Sequence, residues 1–424
     1  MIDDPRSFLT GLFHTAVAAA DPDRIIARHL PEKPKGRTVV VGAGKASAAM
    51  AQSFENAWEA AGNGPLEGIV VTRYGYAQPC RHIEIVEAAH PVPDAAAGEA
   101  ARRIFALCES LDEDDLVVAL ISGGGSSLLS MPPDAVGAEA KRAVNRILLH
   151  SGASIHEMNC VRKHLSLVKG GRLARAAHPA RVATLVISDI PGDNPALIAS
   201  GPTLPDAAGR AEALAIVARY GMDLPPAALA WLNSAAADAP QPGEPGFARD
   251  TLAVIAAAQI SLDAAAAEAR AAGIETHILS DAIEGESRDV GLVHAAIARQ
   301  VALRGEPFAK PVLLLSGGET TVTVRAKGKG GRNAEFLLSF AIGIDGLAGV
   351  TALAADTDGI DGSETNAGAL CDGDTVQRIF AAGRNPKELL AGNDAWSAFD
   401  LVGDLLVTGP TRTNVNDFRA ILIR

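Results

Sequence analysis

The sequence has few aromatic residues and few cysteines. Aromatic side chains make up only 4% of the 424 residues, whereas hydrophobic residues make up 48%. The interior must therefore be built from Ala, Val, Leu and Ile, which suits layered α/β packing. The four cysteines lie far apart, with no Cys-x-x-Cys pair and no histidines at zinc spacing. A structural zinc site is therefore not expected.

The chain also lacks an excess of positive charge and a long apolar run. Its formal net charge is -12, which argues against nonspecific nucleic-acid binding because that binding needs a basic surface. No apolar stretch reaches the roughly 18 residues that a membrane span needs. The segment from Met1 to Arg6 carries acids instead of the basic and apolar regions of a secretory signal. We therefore expect a cytoplasmic protein with neither nucleic acid nor membrane as a partner.

Short β-branched runs alternate with longer Ala-rich stretches. The runs predict buried strands, and the stretches between them have the length and composition of helices. Repeated βαβ units of this kind predict a Rossmann-like, doubly wound parallel sheet. The predicted strands are residues 38–41, 68–72, 116–121 and 182–188, and the predicted helices are residues 45–60, 95–110, 138–150 and 164–177.

A segment with three prolines and two glycines, residues 239–246, interrupts this pattern. A chain of this length exceeds what one hydrophobic core normally supports. We therefore predict two domains, a Rossmann-like domain of residues 1–238 and a smaller α/β domain of residues 247–424. The last predicted strand, residues 404–407, and the tail could return to either domain.

The second domain is predicted to contain a mixed sheet. Its predicted strands at residues 312–315 and 321–325 are so close that they resemble a hairpin, which requires antiparallel pairing. The other strands predicted in this domain are residues 252–257, 276–279 and 350–354.

Two glycine-rich turns, Ser122 to Ser127 and Ser316 to Thr320, follow predicted buried strands. Glycines let backbone N–H groups approach an anion closely, and hydroxyl groups add further donors. A tight strand-to-helix turn explains one such sequence, but two of them favour a nucleotide-phosphate site. The residues predicted to contact the nucleotide here are Ser122, Gly123, Gly124, Gly125, Ser126, Ser127, Gly317, Gly318 and Glu319.

The turn Gly42-Ala43-Gly44-Lys45 resembles the start of a dinucleotide-binding fingerprint. It departs from that pattern because Ser47 replaces the third glycine, and because the next strand ends in Thr72-Arg73 instead of an acid. Arg73 could favour a 2′-phosphate, and the spacing of a Walker A loop is missing. A cation at the first turn of a helix makes most sense beside an anionic ligand. Lys45 is therefore a candidate catalytic residue.

Asp189 and Asp193 lie around a Pro-Gly turn after another predicted strand. Carboxylates at this edge of a parallel sheet suit Mg²⁺, which takes one or two carboxylates plus phosphate oxygens. An Asx-type turn explains Asp193 and Asn194 easily, but Asp189 less well. We predict both aspartates as metal ligands. Asp189 is also a candidate catalytic residue that accepts a substrate proton, and the sequence leaves these two roles open.

Basic residues beside glycine pairs are further candidates for anion binding. Lys169 precedes Gly170-Gly171, and Arg332-Asn333 follow a glycine-rich loop into an amphipathic helix. A guanidinium can bind an oxyanion with two N–H groups, so Arg332 is a candidate catalytic residue. Lys169 and Asn333 are candidate nucleotide contacts. A solvated basic face would explain the neighbouring Arg162 and Lys163, and a flexible hairpin exit would explain the loop before Arg332.

Seven motifs in this order, followed by Ala355-Asp-Thr-Asp-Gly359, resemble the glycerate 2-kinases with a C-terminal MOFRL domain. The resemblance spans nearly the whole chain. It implies that the protein phosphorylates D-glycerate at the 2-hydroxyl with ATP and Mg²⁺, giving 2-phosphoglycerate and ADP. The motifs are residues 41–46, 122–127, 169–174, 188–193, 200–203, 316–320 and 328–333.

Two other functions stay open at this point. Some members of this family are labelled hydroxypyruvate reductases, so an NAD(P)H-dependent reductase is one alternative, and a noncatalytic sugar-acid-binding protein is another. Ser47 weighs against the reductase because it breaks the fingerprint, and the dispersed cations and acids exceed what a simple binder needs. A homodimer also remains open.

Overall fold

The computed structural model describes residues 2–190 and 192–424. Within these residues the chain forms two compact units. The first unit consists of Ile25–Ser188 and Asn194–Ile255, and the second unit consists of Met1–Arg24, Asp189–Asp193 and Ala256–Arg424. No helix among the described residues is long and apolar enough to cross a membrane.

The first unit is built on a six-stranded sheet with the order β3-β2-β1-β4-β5-β6. Every pairing with a described register in this sheet is parallel. This is the strand order of a Rossmann fold, so the predicted Rossmann-like sheet is confirmed. The strands are β1 (Thr38–Ala43), β2 (Glu67–Arg73), β3 (Ile83–Ala88), β4 (Leu116–Ile121), β5 (Arg181–Ile187) and β6 (Thr251–Ala256).

Strands β1 and β4 lie side by side and are buried along their whole length. Burial on both faces explains why their sequences are continuous apolar runs instead of alternating ones. The strand order reverses between them, and ligands of open α/β sheets bind at such a switch point, outside the carboxyl ends of the strands. The loops after β1 and β4 therefore lie where a ligand of this sheet is expected to bind.

Of the four helices predicted in the first part of the chain, one differs from the structure, and the structure also contains helices that were not predicted. The predicted helix over residues 164–177 is wrong, because Gly170 N and Gly171 N donate to the carbonyl groups of Ser200 and Gly201 instead of continuing a helix. These helices are α1 (Pro5–Ala19), α2 (Pro22–Ile25), α3 (Ser47–Ala60), α4 (Ala95–Glu109), α5 (Gly125–Leu128), α6 (Gly137–His150), α7 (Ile155–His164), α8 (Arg172–Ala177), α9 (Arg210–Arg219) and α10 (Pro226–Leu232).

The second unit has a six-stranded sheet with the order β13-β12-β11-β14-β9-β7. Only β7 and β9 pair in parallel, and the other described pairings are antiparallel, which confirms the predicted mixed sheet. The strands of this unit are β7 (Glu275–Ser280), β8 (Gly285–Glu286), β9 (Val312–Ser316), β10 (Thr320–Thr321), β11 (Val350–Asp356), β12 (Gly368–Asp372), β13 (Leu405–Leu406) and β14 (Asp417–Ile423).

Helix α1 belongs to the second unit although it begins the chain. Its apolar face, with Leu9, Leu12 and Phe13, joins the core that also contains Leu262, and Phe13 lies edge-on to Phe418 at 5.9 Å. The burial of this face outweighs sequence order in deciding where the helix packs. The other helices of the unit are α11 (Ala258–Ala271), α12 (Ser287–Arg304), α13 (Arg332–Gly343), α14 (Thr375–Ala381), α15 (Pro386–Ala391) and α16 (Ala395–Leu401).

Three strands of the predicted second domain differ in the structure. Strand β6 joins the first sheet, since the preceding residue Asp250 is held there by hydrogen bonds from Val182 N and His178 Nε2. The predicted hairpin is wrong, because β10 pairs in parallel with β8 while β9 pairs with β7 and β14. The expected last strand is the two-residue β13, beside β12.

The strand that ends the chain, β14, was not predicted. It lies between β11 and β9 and is buried throughout, so the tail completes the sheet of the second unit and does not return to the first. The unit boundary falls at residue 255 instead of within residues 239–246, because those residues form a loop that leads back into β6.

Candidate functional site

The backbone amides of the loop after β1 donate hydrogen bonds to other groups of the protein. Lys45 N donates to Gly123 O at 2.8 Å, and Ala46 N donates to Ser122 Oγ at 3.0 Å. Ser47 N is bound to Gly44 O at 3.3 Å. These are the N–H groups at the start of α3 that would receive a pyrophosphate in a dinucleotide-binding fold, so the β4 loop occupies that position.

The loop after β4 instead presents free donors. Among residues 2–190 and 192–424, the amides of Gly123 and Gly124 donate to no other atom, and Lys45 Nζ has no partner. Gly124 has a φ of 78°, and a Cβ there would lie 3.0 Å from His90 Nε2 and 3.3 Å from Lys45 Cγ. Two backbone donors and one ammonium group on neighbouring loops form an arrangement that can bind an anion.

His90 is a member of this group that the sequence did not reveal. Burial lowers the pKa of its imidazole to about 4, and the charges of Lys45 and Arg73 act in the same direction. The ring is therefore neutral near pH 7 and can donate one hydrogen bond without adding charge. A lone histidine in a loop has no distinctive sequence pattern, so only its position beside Gly124 identifies it.

Unlike the amides of Gly123 and Gly124, the hydroxyl groups of the β4 loop have hydrogen-bond partners within the protein. Ser122 is 1% exposed, and its Oγ also lies 3.1 Å from Ser47 Oγ. Ser127 Oγ donates to Gly124 O at 3.0 Å, and a Cβ on Gly125 would lie 2.6 Å from Ala43 O. Ser122, Gly125 and Ser127 were all predicted as nucleotide contacts. Their contacts within the protein stabilise the conformation of the loop.

Lys169 is directed at Ser126. Its Nζ donates to Ser126 O at 2.6 Å and lies 2.9 Å from Ser126 Oγ, which in turn lies 2.9 Å from Ser200 Oγ. The structure thus brings two predicted residues together and adds Ser200, which lies in the motif of residues 200–203.

In the second unit, Arg332 lies at a cavity of about 640 Å³. Its Nε donates to Asp417 at 2.6 Å, one terminal nitrogen to Asp356 at 2.7 Å and the other to Glu319 at 3.2 Å. Burial alone would lower the pKa of the guanidinium, but the charges of Asp417, Asp356 and Glu319 outweigh burial and raise it. Arg332 is therefore permanently charged, and three acids contact it.

Asn333 and Asp361 organise the start of α13. The Asp361 carboxylate accepts hydrogen bonds from Asn333 N at 2.9 Å and Ala334 N at 2.8 Å, and Asn333 Nδ2 donates to Asp417 at 2.8 Å. Asn333 is fully buried, and its Oδ1 has no partner among the described residues. The predicted nucleotide contact at Asn333 is thus a buried group inside the ion-pair network.

Asp417 is the centre of this network and was not predicted. It is bonded to Arg332 and, on its other oxygen, to the fully buried Arg419. Burial would raise the pKa of the Asp417 carboxyl, but the charges of Arg332 and Arg419 outweigh burial and lower it. Only the pairing of β14 with β9 brings this carboxylate to the glycine-rich turn after β9.

That second glycine-rich turn is explained by close backbone packing. Gly317 O accepts hydrogen bonds from Ile283 N at 3.2 Å and from Arg419 at 3.1 Å. A Cβ on Gly318 would lie 2.3 Å from Ile283 backbone atoms. Among the three predicted residues of this turn, Glu319 contacts Arg332 and lines the cavity.

Asp189 belongs to the second unit. Its carboxylate accepts a hydrogen bond from Asn414 at 3.5 Å, and its carbonyl accepts one from Asn416 Nδ2. Asp193 has a left-handed φ of 49°, and Pro191 between them lies outside the described residues. The described part of the chain contains no group of three or more His, Cys, Asp or Glu that could hold a metal ion.

Comparison with known protein families gives two matches. Residues 8–233 match a domain of unknown function, DUF4147, and residues 312–417 match the MOFRL family. The DUF4147 match covers about the first half of the chain. The MOFRL match lies within the second unit.

Individual relatives cover almost the whole chain. A protein named "D-glycerate 2-kinase" from Thermotoga maritima is 40% identical, over 95% of this chain and 94% of its own. A protein named "Putative hydroxypyruvate reductase" from Agrobacterium vitis is 54% identical, over 99% of this chain and 94% of its own. The crystal structure of a glycerate kinase from Thermotoga maritima, 38% identical, superposes with a TM-score of 0.90 over 99% of both chains.

Proposed function

The chain belongs to the glycerate 2-kinase family with a C-terminal MOFRL domain, and from this premise we propose that it transfers the γ-phosphoryl group of ATP to the 2-hydroxyl of D-glycerate. The products are 2-phosphoglycerate and ADP. The observation that carries the proposal is the pair of unpartnered amides, Gly123 and Gly124, beside the unpartnered ammonium of Lys45 within the described chain. These groups match the charge and shape of a phosphate.

Phosphoryl transfer depends on positioning and electrostatics more than on covalent chemistry. In this proposal the loop from Ser122 to Ser127 binds nucleotide phosphates, and Lys45 stabilises the negative charge of the transferred group. Because His90 is neutral, it donates a hydrogen bond without adding positive charge to the site. Lys169 holds the loop through Ser126.

Arg332 is proposed to bind an oxyanion of a substrate. A guanidinium has five N–H donors, and the contacts with Asp417, Asp356 and Glu319 use three nitrogens once each. One N–H on each terminal nitrogen is left for a ligand. Because three acids already contact the guanidinium, we propose that Arg332 mainly orients the substrate oxyanion through these two N–H groups.

Mg²⁺ is proposed as the metal, held by Asp189 and Asp193. The donor set fits, because Mg²⁺ prefers carboxylate oxygens and completes its shell with phosphate oxygens and water. When bound, the ion would neutralise charge on the β- and γ-phosphates. The chain itself supplies the orientation of Asp189, through Asn414 and Asn416.

The reductase alternative fits this structure less well. The amides at the start of α3 that would bind a cofactor pyrophosphate are already bonded to Ser122 and Gly123. Ser47 is fully buried at the place of the third glycine, and its hydroxyl donates to Leu120 O at 2.9 Å. A dinucleotide would have to displace the β4 loop.

A coupled assay tests the proposed function. Purified protein, D-glycerate, ATP and Mg²⁺ are combined with enolase and pyruvate kinase, without phosphoglycerate mutase. We expect a signal in this mixture, because enolase consumes 2-phosphoglycerate directly. A signal that appears only after mutase is added would indicate the 3-phosphate. Oxidation of NAD(P)H by hydroxypyruvate without glycerate phosphorylation would instead establish the reductase, and neither activity would favour the binding protein.

The variant Asp189→Asn separates the two roles proposed for this residue. If Asp189 binds the metal, the Mg²⁺ concentration needed for half-maximal rate rises at least about tenfold and excess Mg²⁺ restores turnover. If it accepts the substrate proton, kcat falls about 10²- to 10⁴-fold at every Mg²⁺ concentration. Asp193→Asn provides the comparison for the metal role alone. A normal rate with normal metal dependence in Asp189→Asn rules out both roles.

A further inference from the structure

Three polar side chains of the first unit form a chain of short contacts that phosphate binding does not require. Ser200 Oγ lies 2.9 Å from Ser126 Oγ, and Ser126 Oγ lies 2.9 Å from Lys169 Nζ. Lys169 Nζ also donates to Ser126 O at 2.6 Å. As an ammonium, Lys169 donates to both Ser126 oxygens. As a neutral amine it retains the contact with Ser126 O, and its lone pair can accept the Ser126 hydroxyl proton.

The surroundings of Lys169 favour that neutral amine. The side chain is 3% exposed. Burial lowers the pKa of the ammonium well below its usual value, and the charges of Lys141, Arg162 and Lys163 lower it further. No carboxylate pairs with Lys169 among the described residues. A buried lysine of this kind can act as a general base.

The backbone around Ser200 is fixed in an uncommon conformation. Ala199 and Ser200 both have left-handed φ angles, 51° and 63°, which non-glycine residues adopt only when the surroundings hold them there. Gly170 N donates to Ser200 O at 3.1 Å. The loop that carries Lys169 therefore also fixes Ser200 against Ser126.

We propose that Ser126 is an activated nucleophile, with Lys169 as its general base and Ser200 as a positioning residue, and that it accepts acyl groups from activated carboxylic esters. The arrangement meets the requirements for nucleophilic catalysis, since the base contacts the nucleophile and a third group orients it. Ser126 is half-buried whereas Lys169 is 3% exposed, so the serine is the more accessible of the two residues. This activity does not depend on the kinase reaction.

The covalent step is balanced within the protein and the ester. Ser126 Oγ attacks the carbonyl carbon and forms a new C–O bond, and its proton moves to Lys169 Nζ. The ester C–O bond breaks, and the alcohol or phenol leaves with that proton or as its anion. Water then hydrolyses the acyl-serine and releases the carboxylic acid, which restores the Ser126 hydroxyl.

The test uses the full chain and 4-nitrophenyl acetate, without ATP or glycerate. We expect release of 4-nitrophenolate and a single acetyl adduct that peptide mapping places on Ser126. Ser126→Ala removes the adduct, and Lys169→Met slows its formation at least about 100-fold. Ser130→Ala, at a serine just beyond α5, retains labelling as the matched control. Acetylation confined to other residues, or labelling at a normal rate in Lys169→Met, overturns the proposal.

A pH profile of the unaltered protein covers the case in which Lys169→Met does not fold. Since Lys141, Arg162 and Lys163 surround the amine, acetylation of Ser126 reaches its plateau well below the ordinary lysine pKa of about 10.4. A rate that rises only near that ordinary value overturns the proposal. Because no ATP is present, failure here leaves the kinase assay unaffected, and a failed kinase assay leaves this labelling unaffected.

Discussion

Replacing Lys45 by methionine is expected to lower kcat for glycerate phosphorylation on the order of 10³-fold, with a much smaller change in the KM for glycerate. Methionine retains the approximate length of the side chain but removes the positive charge that Lys45 places near Gly124. Charge on the transferred phosphoryl group is greatest in the transition state, so the loss falls mainly on kcat. Steady-state kinetics with varied ATP and glycerate measure the effect.

His90 provides an internal check on this variant. The charge of Lys45 is one of the causes that hold the His90 pKa at about 4, after burial. Removing that charge is expected to raise the pKa, which NMR titration of the ring protons follows directly. Lys35→Met, at an exposed ion pair with Asp114, is the matched control and retains normal kcat. Full turnover in Lys45→Met, with the expected His90 shift, would refute the catalytic role.

Asp417→Ala is expected to weaken the second unit by about 3–5 kcal/mol, because it leaves the fully buried Arg419 guanidinium without its ion-pair partner and removes one of the three acids that contact Arg332. Arg332 retains Asp356 and Glu319, but Arg419 has no other ion pair among the described residues. The Arg332 side chain then loses the contact that fixes its Nε, so glycerate phosphorylation falls as well.

Hydrogen exchange is the suitable measurement because a chain of two units is not a two-state system. Amides of β14 and β9 are expected to lose protection by roughly 10²- to 10³-fold or more, while β1 and β4 retain theirs. Asp263→Ala, at an exposed position on α11, is the control and changes stability by less than about 0.5 kcal/mol. Unchanged protection of β14 in Asp417→Ala contradicts the central role of Asp417.

The pH dependence of this contribution has a definite sign. The folded-state pKa of Asp417 is lowered, because Arg332 and Arg419 outweigh burial. Its contribution is therefore present above the ordinary aspartate pKa of about 3.9 and is lost as the pH falls through the lowered value. Differences between Asp417→Ala and the unaltered protein should shrink only in strongly acidic solution.

Local sequence pattern was sufficient to predict much of the fold and to place a glycine-rich loop and Lys45 directly after buried strands. Continuous apolar runs predicted β1 and β4, since a strand buried on both faces needs no polar alternation. The glycines after β4 and the lysine after β1 marked the switch-point loops, because both features follow a strand within a few residues. The parallel sheet and the candidate phosphate loop are therefore properties of short segments.

Long-range pairing decided what short segments could not. Strand β14 lies between β11 and β9, and α1 packs on the same unit from the other end of the chain. Both depend on burying apolar surface against partners that are distant in the chain, which no local pattern encodes. Asp417 acquired its place in the ion-pair network only through that pairing.

The same distinction applies to individual side chains. The sequence by itself determined which residue types were available: a lysine beside a glycine turn, a glycine-rich loop after a buried strand, and acids after others. Only the tertiary structure decided that Arg332 contacts three acids, that Gly318 packs on Ile283, and that His90 lies beside Gly124. The reason is physical, since charge balance, burial and close approach depend on neighbours in space, and those neighbours are distant in the chain.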